Sequence, residues 1–391
     1  MQESDLIPAN NKSAASTPAP SGDSSGEAAR MSDFLGEPFR PRRPFISGHA
    51  QTLAGNFLPR RNLLPQAEER LFSVEPEVQV LCHCHWQRHR ETAMTVLIVH
   101  GLEGSGGSQY VIGTGGKAWA AGMNVVRMNM RNCGDTEHLG PTLYNSSMSG
   151  DVGAVARALI TGDGLQRLAF VGYSMGGNLV LKLLGEWGSQ APPQVKAGVG
   201  ISPAIDLAPS ADALHEPRNR LYEWRFLRGL RRRLLRKAAL YPGRYDVRYL
   251  RTMRSLRDFD DQITARYSEF RDAQDYYTRA AAARVVDRIA LPTLVLHALD
   301  DPFIRLMPET REKLLRNPQV TFIETRNGGH CAFLAPANGY DGRWAERQTI
   351  AFIQRSEHCE FAPPDPAARQ DADPPRQRRS NPSPGQCQEV Q

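Results

Sequence analysis

The sequence RLAFVGYSMGGNLVLKLLGEWG, residues 167–188, is the stretch that decides the fold. Its first part is a short continuous apolar run, which is typical of a buried parallel strand. Its second part has helical spacing, with one apolar stripe formed by Leu179, Val180, Leu183, Leu184 and Trp187. Gly188 follows that stripe, where a helix commonly ends. The stretch therefore predicts a strand that turns directly into a helix at Ser174.

Apolar runs of the same kind recur on both sides of this stretch and alternate with helical patterns. The runs lie at residues 78–86, 93–100, 123–130, 196–202, 292–299 and 320–325, and a further helical pattern covers 150–160. This alternation predicts a doubly wound, mostly parallel α/β sheet. In the first run Cys82 and Cys84 face one way while His83 and His85 face the other. We expect that run to be an antiparallel edge strand at the start of the sheet.

Composition divides the chain into one folded region between two tails. Residues 1–33 and 359–391 are polar and rich in proline, so we expect both tails to be disordered and residues 34–358 to form one domain. Within that domain, about residues 208–290 separate two strands by far more than a loop, and they look helical and charged. We predict that this segment is a helical cap.

Charge and cysteine content narrow the class of protein. The 391 residues carry a net charge of +6 and six cysteines. Without a nucleic-acid-binding motif, this charge is too small to indicate nucleic-acid binding. Six cysteines are too few for a disulfide framework in so long a chain. The sequence contains neither a secretory signal nor an apolar run long enough to span a bilayer. We expect a soluble, cytoplasmic protein and take a monomer as its default state.

Ser174 is the centre of the Gly-x-Ser-x-Gly pattern at residues 172–176. A serine at a sharp strand-to-helix turn has a strained backbone, so the flanking positions have to be glycine. The helix that begins there favours negative charge developing beside the hydroxyl. The alternative is a structural turn with an idle serine. The position between strand and helix favours Ser174 as a catalytic nucleophile.

A catalytic serine needs a base, and the base needs a partner that orients it. In hydrolases with this motif the chain order is serine, acid, histidine. Asp300 and Asp301 follow the run at 292–299, and His330 follows the run at 320–325 after two glycines. These are carboxyl ends of strands, where the sites of open α/β sheets lie. We predict His330 as the base and favour Asp301, which directly precedes a proline, over Asp300 as the acid.

An oxyanion hole requires two backbone N–H groups close to the nucleophile. One candidate is Met175, the residue directly after the serine. The other is Leu102, in the glycine-containing loop 100–104 that follows the run at 93–100. The alternative for this loop is a flexible connection without a catalytic role.

Two other motifs suggest cofactors only weakly. Residues 111–118 contain parts of a phosphate loop and of a dinucleotide-binding pattern. Val111 and Ala118 break the first pattern, and the second lies too far beyond its strand. The run from Cys82 to His85 resembles zinc ligands, but strict alternation divides it between two faces of a strand. We therefore expect neither a metal nor an organic cofactor.

The run RNRLYEWRFLRGLRRRLLRK, residues 218–237, is basic and amphipathic. Its apolar positions are Leu221, Trp224, Phe226, Leu227, Leu230, Leu234 and Leu235. One interpretation is a cap helix that covers the active site and leaves its basic face in water. The other is contact with anionic lipid headgroups or acidic substrates. The sequence leaves both interpretations open.

Six motifs occur in the order that is typical of one family. They are FRPRRPFISGHAQTLAGNFLPRR (39–61), HGLEGSGGSQY (100–110), NMRNCGD (129–135), GYSMGGN (172–178), ALDDPF (298–303) and NGGHCAF (327–333). Over roughly residues 38–355 the chain resembles the YheT-like α/β-hydrolases, bacterial relatives of eukaryotic hydrolase-domain proteins that act on lipids and medium-chain esters. The resemblance implies the α/β-hydrolase fold and carboxylic ester hydrolase activity. It also implies that Ser174, Asp301 and His330 are the catalytic residues.

Two details of the resemblance concern loops. Residues 49–52, His-Ala-Gln-Thr, look like the family's His-x-Gln-Thr, for which we expect a structural role. Relatives often have glycine before the cysteine of the third motif, where this chain has Asn132 before Cys133. We expect that departure to alter a loop near the pocket and to leave the triad unaffected.

The sequence thus predicts a serine hydrolase that cleaves carboxylic esters through an acyl-enzyme on Ser174. The expected partner is a small-molecule ester with a short- to medium-chain acyl group or a lipid ester. The close alternative is an acyltransferase that passes the same acyl group to an alcohol. An alternative of another class is a non-catalytic protein that binds lipid surfaces through its basic cap.

Overall fold

The computed structural model describes residues 38–357. The tails predicted at 1–33 and 359–391 lie outside these residues. Within the part described, none of the helices combines the length and the apolar composition that crossing a membrane requires.

One eight-stranded sheet forms the centre of the molecule, in the order β1-β2-β4-β3-β5-β6-β7-β8. The strands are β1 (Glu68–Glu75), β2 (Val78–His85), β3 (Thr95–Val99), β4 (Asn124–Met128), β5 (Leu168–Tyr173), β6 (Val195–Ile201), β7 (Thr293–Ala298) and β8 (Val320–Thr325). β2 pairs antiparallel with β1 and β4. All pairs from β4 to β8 are parallel. The predicted doubly wound, mostly parallel sheet is confirmed.

The antiparallel start of the sheet differs from the prediction in one respect. β2, which contains Cys82–His85, is not an edge strand, because β1 lies outside it. The sequence of β1 is mostly polar and only Phe72 is buried, so no apolar run marks this strand. The predicted alternation in β2 is present, since Cys82 and Cys84 enter the core on one face of the sheet.

Helices lie before, between and after the strands. They are α1 (Gly48–Phe57), α2 (Gln109–Ala120), α3 (Ser149–Asp163), α4 (Met175–Trp187), α5 (Leu207–Leu214), α6 (Arg220–Leu240), α7 (Leu256–Phe259), α8 (Ala273–Ala280), α9 (Pro308–Arg316) and α10 (Trp344–Ser356). A π-helical turn, Asp260–Ala265, follows α7. The predicted end of α4 at Gly188 is confirmed, and α3 covers the pattern predicted at 150–160.

Two apolar layers cover the sheet because successive residues of a buried strand point to opposite faces. In β3, Leu97 and Val99 join the layer that contains α3 and α4. Val96 and Ile98 join the layer that contains α2 and α10. Burial on both faces explains why the central strands are continuously apolar.

The helical insert, residues 207–288, lies between β6 and β7 and contains α5 to α8. Its longest element, α6, covers most of the basic run at 218–237. The apolar positions of that run divide between two environments. Leu227, Leu230 and Leu234 are buried, whereas Leu221, Trp224 and Leu235 are exposed. The helix therefore has an apolar inner face and an outer face that mixes arginine with large apolar side chains.

Candidate active site

Ser174 occupies the turn between β5 and α4. Its backbone has φ 53° and ψ −118°, a conformation that residues with a Cβ atom adopt rarely. The neighbouring chain passes so close that a Cβ on Gly172 would lie 2.2 Å from the carbonyl oxygen of Gly176. A Cβ on Gly176 would lie 2.4 Å from the carbonyl oxygen of His100. The two glycines are thus a steric requirement of the turn that carries Ser174. The serine lines an apolar cavity.

Asp301 and His330 meet on the loops after β7 and β8. This pair lies near the turn, since the carbonyl oxygen of Ile201 accepts hydrogen bonds from the Ser174 N–H (3.0 Å) and from the thiol of Cys331 (3.7 Å). The distance between His330 Nδ1 and Asp301 Oδ2 is 2.8 Å. The other carboxylate oxygen of Asp301 accepts hydrogen bonds from the backbone N–H groups of Phe303 (3.1 Å) and Ile304 (2.9 Å). Asp301 is buried, so these contacts fix both oxygens and leave the imidazole as its side-chain partner.

Asp300, the other candidate acid, has a different role. Its Oδ1 accepts a hydrogen bond from the backbone N–H of Gly329 at 2.9 Å, and its Oδ2 lies 3.3 Å from the amide nitrogen of Asn327. Asp300 therefore holds the loop that carries His330, whereas Asp301 contacts the imidazole itself.

The surroundings of His330 determine its charge. Burial disfavours the imidazolium, yet the neighbouring Cys331 and Asp301 outweigh it, and the pKa of His330 lies above its ordinary value. Burial also opposes ionisation of Asp301, but the charge and hydrogen bond of His330 hold the pKa of this carboxyl below its usual range. The pair is therefore electrostatically complementary.

Cys331 is a neighbour of the imidazole that the sequence analysis did not single out. Its sulfur lies 3.6 Å from His330 Nε2, the ring nitrogen opposite the one that contacts Asp301. Within residues 38–357 the hydroxyl of Ser174 makes no hydrogen bond to His330. Catalytic hydrogen bonds are commonly long before substrate binds and shorten in the complex. The only sequence signal for this contact is that Cys331 directly follows His330.

The two predicted oxyanion donors, Leu102 and Met175, lie beside Ser174 along the same cavity. In the described part of the chain neither backbone N–H donates a hydrogen bond to a protein group. The hydroxyl of Tyr110 accepts the Gly101 N–H at 2.9 Å, and the hydroxyl of Tyr144 accepts the Glu103 N–H at 3.2 Å. The residues on both sides of Leu102 are therefore anchored while its own N–H stays available.

A mainly apolar cavity adjoins Ser174, with an empty volume of about 950 Å³ that includes space open to solvent. Its walls include the insert residues Leu207, Leu214, Phe226, Leu230, Leu234 and Tyr277. Asp260 also lines it, and burial raises the pKa of this carboxyl to about 6. Phe303 connects the cavity to the base, since its ring centroid is 4.4 Å from that of His330. Its apolar lining suits the hydrocarbon part of an acyl chain.

Arg233 connects the helical insert to loop 100–104, which carries the predicted oxyanion donor Leu102; we call this loop the oxyanion loop. Its Nε lies 3.1 Å from Glu103 Oε1, and its guanidinium also donates to the carbonyl oxygen of Asn132. Tyr144 donates its hydroxyl proton to the same Glu103 oxygen at 2.8 Å. Glu103 directly follows Leu102, so this network holds the chain at the predicted oxyanion donor. The sequence did not identify Arg233, because it lies within a run of arginines.

The motifs that suggested cofactors lie elsewhere. Residues 113–118 lie inside α2 and not in a loop before a helix. On β2, His85 Nε2 accepts a hydrogen bond from Arg127, and His83 lies near Asn129. In residues 38–357, no group of three or more His, Cys, Asp or Glu side chains is arranged to hold a metal ion.

Comparison with known proteins gives consistent results for the family. Residues 95–336 match the family described as alpha/beta hydrolase fold. A protein of Escherichia coli (strain K12) named "Putative esterase YheT" is 32% identical over 310 residues, which are 79% of this chain and 90% of that protein. The protein named phospholipase ABHD3 in Bos taurus is 27% identical over 259 residues, 66% of this chain and 61% of that protein.

Solved structures resemble the chain in fold alone. An esterase of Pyrococcus furiosus has a TM-score of 0.50 and 16% identity, covering 74% of this chain and 91% of that one. The 2,6-dihydroxy-pseudo-oxynicotine hydrolase has a TM-score of 0.50 and 14% identity, covering 81% of this chain and 74% of that one.

Proposed function

The chain belongs to the YheT-like α/β-hydrolases, and on that premise we propose that it is a serine hydrolase that cleaves carboxylic esters through an acyl-enzyme on Ser174. The observation that carries the proposal is the hydrogen-bonded pair of Asp301 and His330 beside a serine in a strained strand-to-helix turn. A strained turn and a buried carboxylate–imidazole pair are costly features that catalysis by an activated serine requires.

In the proposed reaction the hydroxyl oxygen of Ser174 attacks the ester carbonyl while His330 accepts its proton. The N–H groups of Leu102 and Met175 stabilise the negative oxygen of the tetrahedral intermediate. His330 then returns the proton to the departing alcohol, which leaves an acyl group on Ser174. Water, activated by the same histidine, attacks this ester, releases the acid and restores the serine.

The apolar cavity supports an ester with a hydrocarbon acyl chain as the substrate. More than half of the residues that line this cavity belong to the helical insert, and most of those are leucine or aromatic. The name phospholipase of a relative agrees with a lipid ester. We therefore propose medium-chain acyl or lipid esters as the substrate class.

The test is labelling with a fluorophosphonate followed by intact-mass measurement. We expect one adduct per wild-type chain and none on Ser174→Ala, because only an activated serine hydroxyl attacks the phosphorus centre. Hydrolysis of p-nitrophenyl butyrate should fall by at least roughly 10³-fold in the same variant.

The matched control is Ser73→Ala, which removes an exposed hydroxyl on the edge strand. It should keep both the adduct and the activity. An adduct that persists on Ser174→Ala, or no adduct on folded wild-type protein, would refute the proposal. Formation of a new ester when an alcohol is added would show acyl transfer through the same serine.

A further inference from the structure

The outer face of α6 is basic and apolar at once. Its exposed positions follow helical spacing and comprise Leu221, Trp224, Arg225, Arg228, Arg232, Leu235 and Arg236. Leu221 is 65% exposed and Trp224 is 56% exposed. Large apolar side chains at such exposure beside arginines are typical of surfaces that contact a membrane interface.

Arg236, at the C-terminal end of this face, pairs with Asp135 and Glu137, but the part nearer the start of the helix has no compensating acid. The only acidic residue of α6 is Glu223, which is buried and bonded to His215 and to the backbone of Leu256. Arg225 and Arg228 form no ion pair with any residue in the range 38–357. The guanidinium of Arg228 lies 5.4 Å from the ring centroid of Trp224. The positive charge of the face is therefore available to an external anion.

Helix α1 extends this surface. The guanidinium of Arg225 lies 5.9 Å from the ring centroid of Phe57, which is 64% exposed and follows the partly exposed Leu53 by one helical turn. The Tyr222 hydroxyl and His49 Nδ1 are 3.0 Å apart, which joins the two helices. We call the surface formed by Leu53, Phe57, Leu221, Trp224, Arg225 and Arg228 the α1–α6 face.

The inner face of the same helix lines the cavity beside Ser174, through Phe226, Leu230 and Leu234. One helix thus separates an exposed basic and apolar surface from the proposed acyl site. We propose that the α1–α6 face docks on anionic lipid bilayers, with its apolar side chains in the headgroup region and its arginines on lipid phosphates. The inference rests on the proposed function, since docking would bring the cavity to a source of lipid esters.

A bilayer fits this face better than a nucleic acid does. Phosphates of either kind would satisfy the arginines. A nucleic-acid duplex would leave Leu53, Phe57 and Leu221 in water, whereas a lipid interface removes them from it. Charge attraction together with burial of apolar side chains is the combination that holds interfacial helices at membranes.

The experiment is co-sedimentation of the full chain with vesicles of phosphatidylcholine alone and of equal parts phosphatidylcholine and phosphatidylglycerol. We expect the wild type to bind the anionic vesicles more tightly and to lose binding as salt rises. Arg225→Gln/Arg228→Gln should weaken binding to the anionic vesicles about 25-fold, from roughly fivefold for each basic residue near an anionic surface. Leu221→Ser/Trp224→Ser should weaken it as well, by removing the apolar contact.

The matched control is Leu315→Ser/Arg316→Gln, which makes the same kinds of change on the exposed side of α9. It should bind vesicles as the wild type does. Equal binding by the wild type and the α1–α6 face variants would overturn the proposal, as would no preference for anionic vesicles. Displacement of the wild type from vesicles by a short DNA duplex at micromolar concentration would overturn it in favour of nucleic acid.

Hydrolysis of a soluble ester separates this proposal from the proposed function. The α1–α6 face variants should cleave p-nitrophenyl butyrate at the wild-type rate, because none of the replaced residues lines the cavity. If the wild type hydrolyses this ester but does not bind vesicles, the docking proposal is refuted and the proposed function is not. Vesicle binding without fluorophosphonate labelling would refute the proposed chemistry and leave the docking surface standing.

Discussion

At the scale of single residues, each nitrogen of the His330 ring has a different neighbour. Nδ1 contacts the buried carboxylate of Asp301, which the backbone N–H groups of Phe303 and Ile304 hold in place. Nε2 faces the sulfur of Cys331 at 3.6 Å. In the proposed mechanism the first contact fixes the tautomer in which Nε2 accepts the serine proton. A charge at Asp301 should therefore control both the rate and its pH dependence.

We expect Asp301→Asn to lower kcat by about 10³- to 10⁴-fold, because an amide favours the wrong tautomer of His330. Only neutral imidazole accepts the serine proton, so activity should rise with pH, and in the wild type the midpoint should lie above the ordinary histidine pKa. Loss of the carboxylate charge should move the midpoint of the residual activity to lower pH. The measurement is kcat/KM between pH 5 and 10.

Asp300→Asn is the matched control for the adjacent aspartate. It weakens contacts to Gly329 and Asn327 without touching the imidazole. We expect it to reduce kcat less than 10-fold and to cost about 1 kcal/mol of stability. If Asp300→Asn abolished activity while Asp301→Asn kept it, the two roles would have to be exchanged.

At the scale of elements, α6 combines three contacts. Its inner apolar side chains line the cavity, its outer face carries unpaired arginines, and Arg233 reaches the oxyanion loop. Besides the buried leucines, the largely buried ion pair between Arg233 and Glu103 attaches the helix to the loop that carries Leu102. We infer that Arg233 positions the loop that carries Leu102.

Replacing Arg233 by methionine should lower kcat for p-nitrophenyl butyrate about 10- to 100-fold with a small change in KM. The reason is that a shift of the Leu102 N–H weakens transition-state stabilisation more than ground-state binding. Unpaired Glu103 should also cost about 3 kcal/mol of unfolding free energy, measured by urea denaturation.

Arg232→Met is the control, because it replaces an exposed arginine next to Arg233, on the same helix, by the same residue. It should leave kcat and stability unchanged. The double variant Arg233→Met/Glu103→Gln should regain stability but not kcat. Full activity in Arg233→Met, with reduced stability, would assign this residue to structure alone.

At the scale of the whole molecule, the ends of the sheet strands present Ser174, Asp301 and His330, and the helical insert forms much of the pocket wall. We therefore expect the same cleavage reaction with many esters, and we expect the helical insert to determine which ester is preferred. We expect kcat/KM for p-nitrophenyl esters to rise roughly threefold to fourfold for each added CH₂ until the cavity is filled. Leu214→Phe should move the best substrate to a shorter chain.

The control for this series is Leu315→Phe, an equal change at an exposed position of α9. It should leave the chain-length profile unchanged. A flat profile from acetate to octanoate, or an equal shift in both variants, would contradict the assignment of the cavity to the acyl chain.

The central part of the fold could be predicted from sequence because strands buried on both faces are continuously apolar. The predicted runs at 93–100, 123–130 and 292–299 contain β3, β4 and β7. Strand β1 could not be predicted, because an edge strand buries little, and its sequence EERLFSVE resembles a surface loop. For that reason the sequence predicts its antiparallel neighbour β2 as the edge, and the structure shows β1 outside it.

The structure brings Asp301 and His330 into contact, while their catalytic role stays a prediction, and sequence reasoning missed contacts between residues distant in the chain. Asp301 and His330 lie in loops directly after strands, so chain order was enough to pair them. The contact between Arg233 and Glu103 joins residues far apart in the chain, and no pattern distinguishes this arginine from its neighbours. Which apolar residues of α6 face outwards depended likewise on packing and not on composition.

The backbone of Ser174 has a consequence for selection on this protein. Holding a side chain at φ 53° and ψ −118° costs about 1–3 kcal/mol. Glycine adopts such angles freely, so replacing Ser174 by glycine would remove this strain. The greater freedom of glycine in the unfolded chain would cancel only about 0.4–1 kcal/mol of the stability gained. The most stable residue at this position is therefore glycine and not serine, the proposed nucleophile. Laboratory evolution that selected for heat resistance alone would drift towards inactive chains, so every round of such a screen has to include turnover.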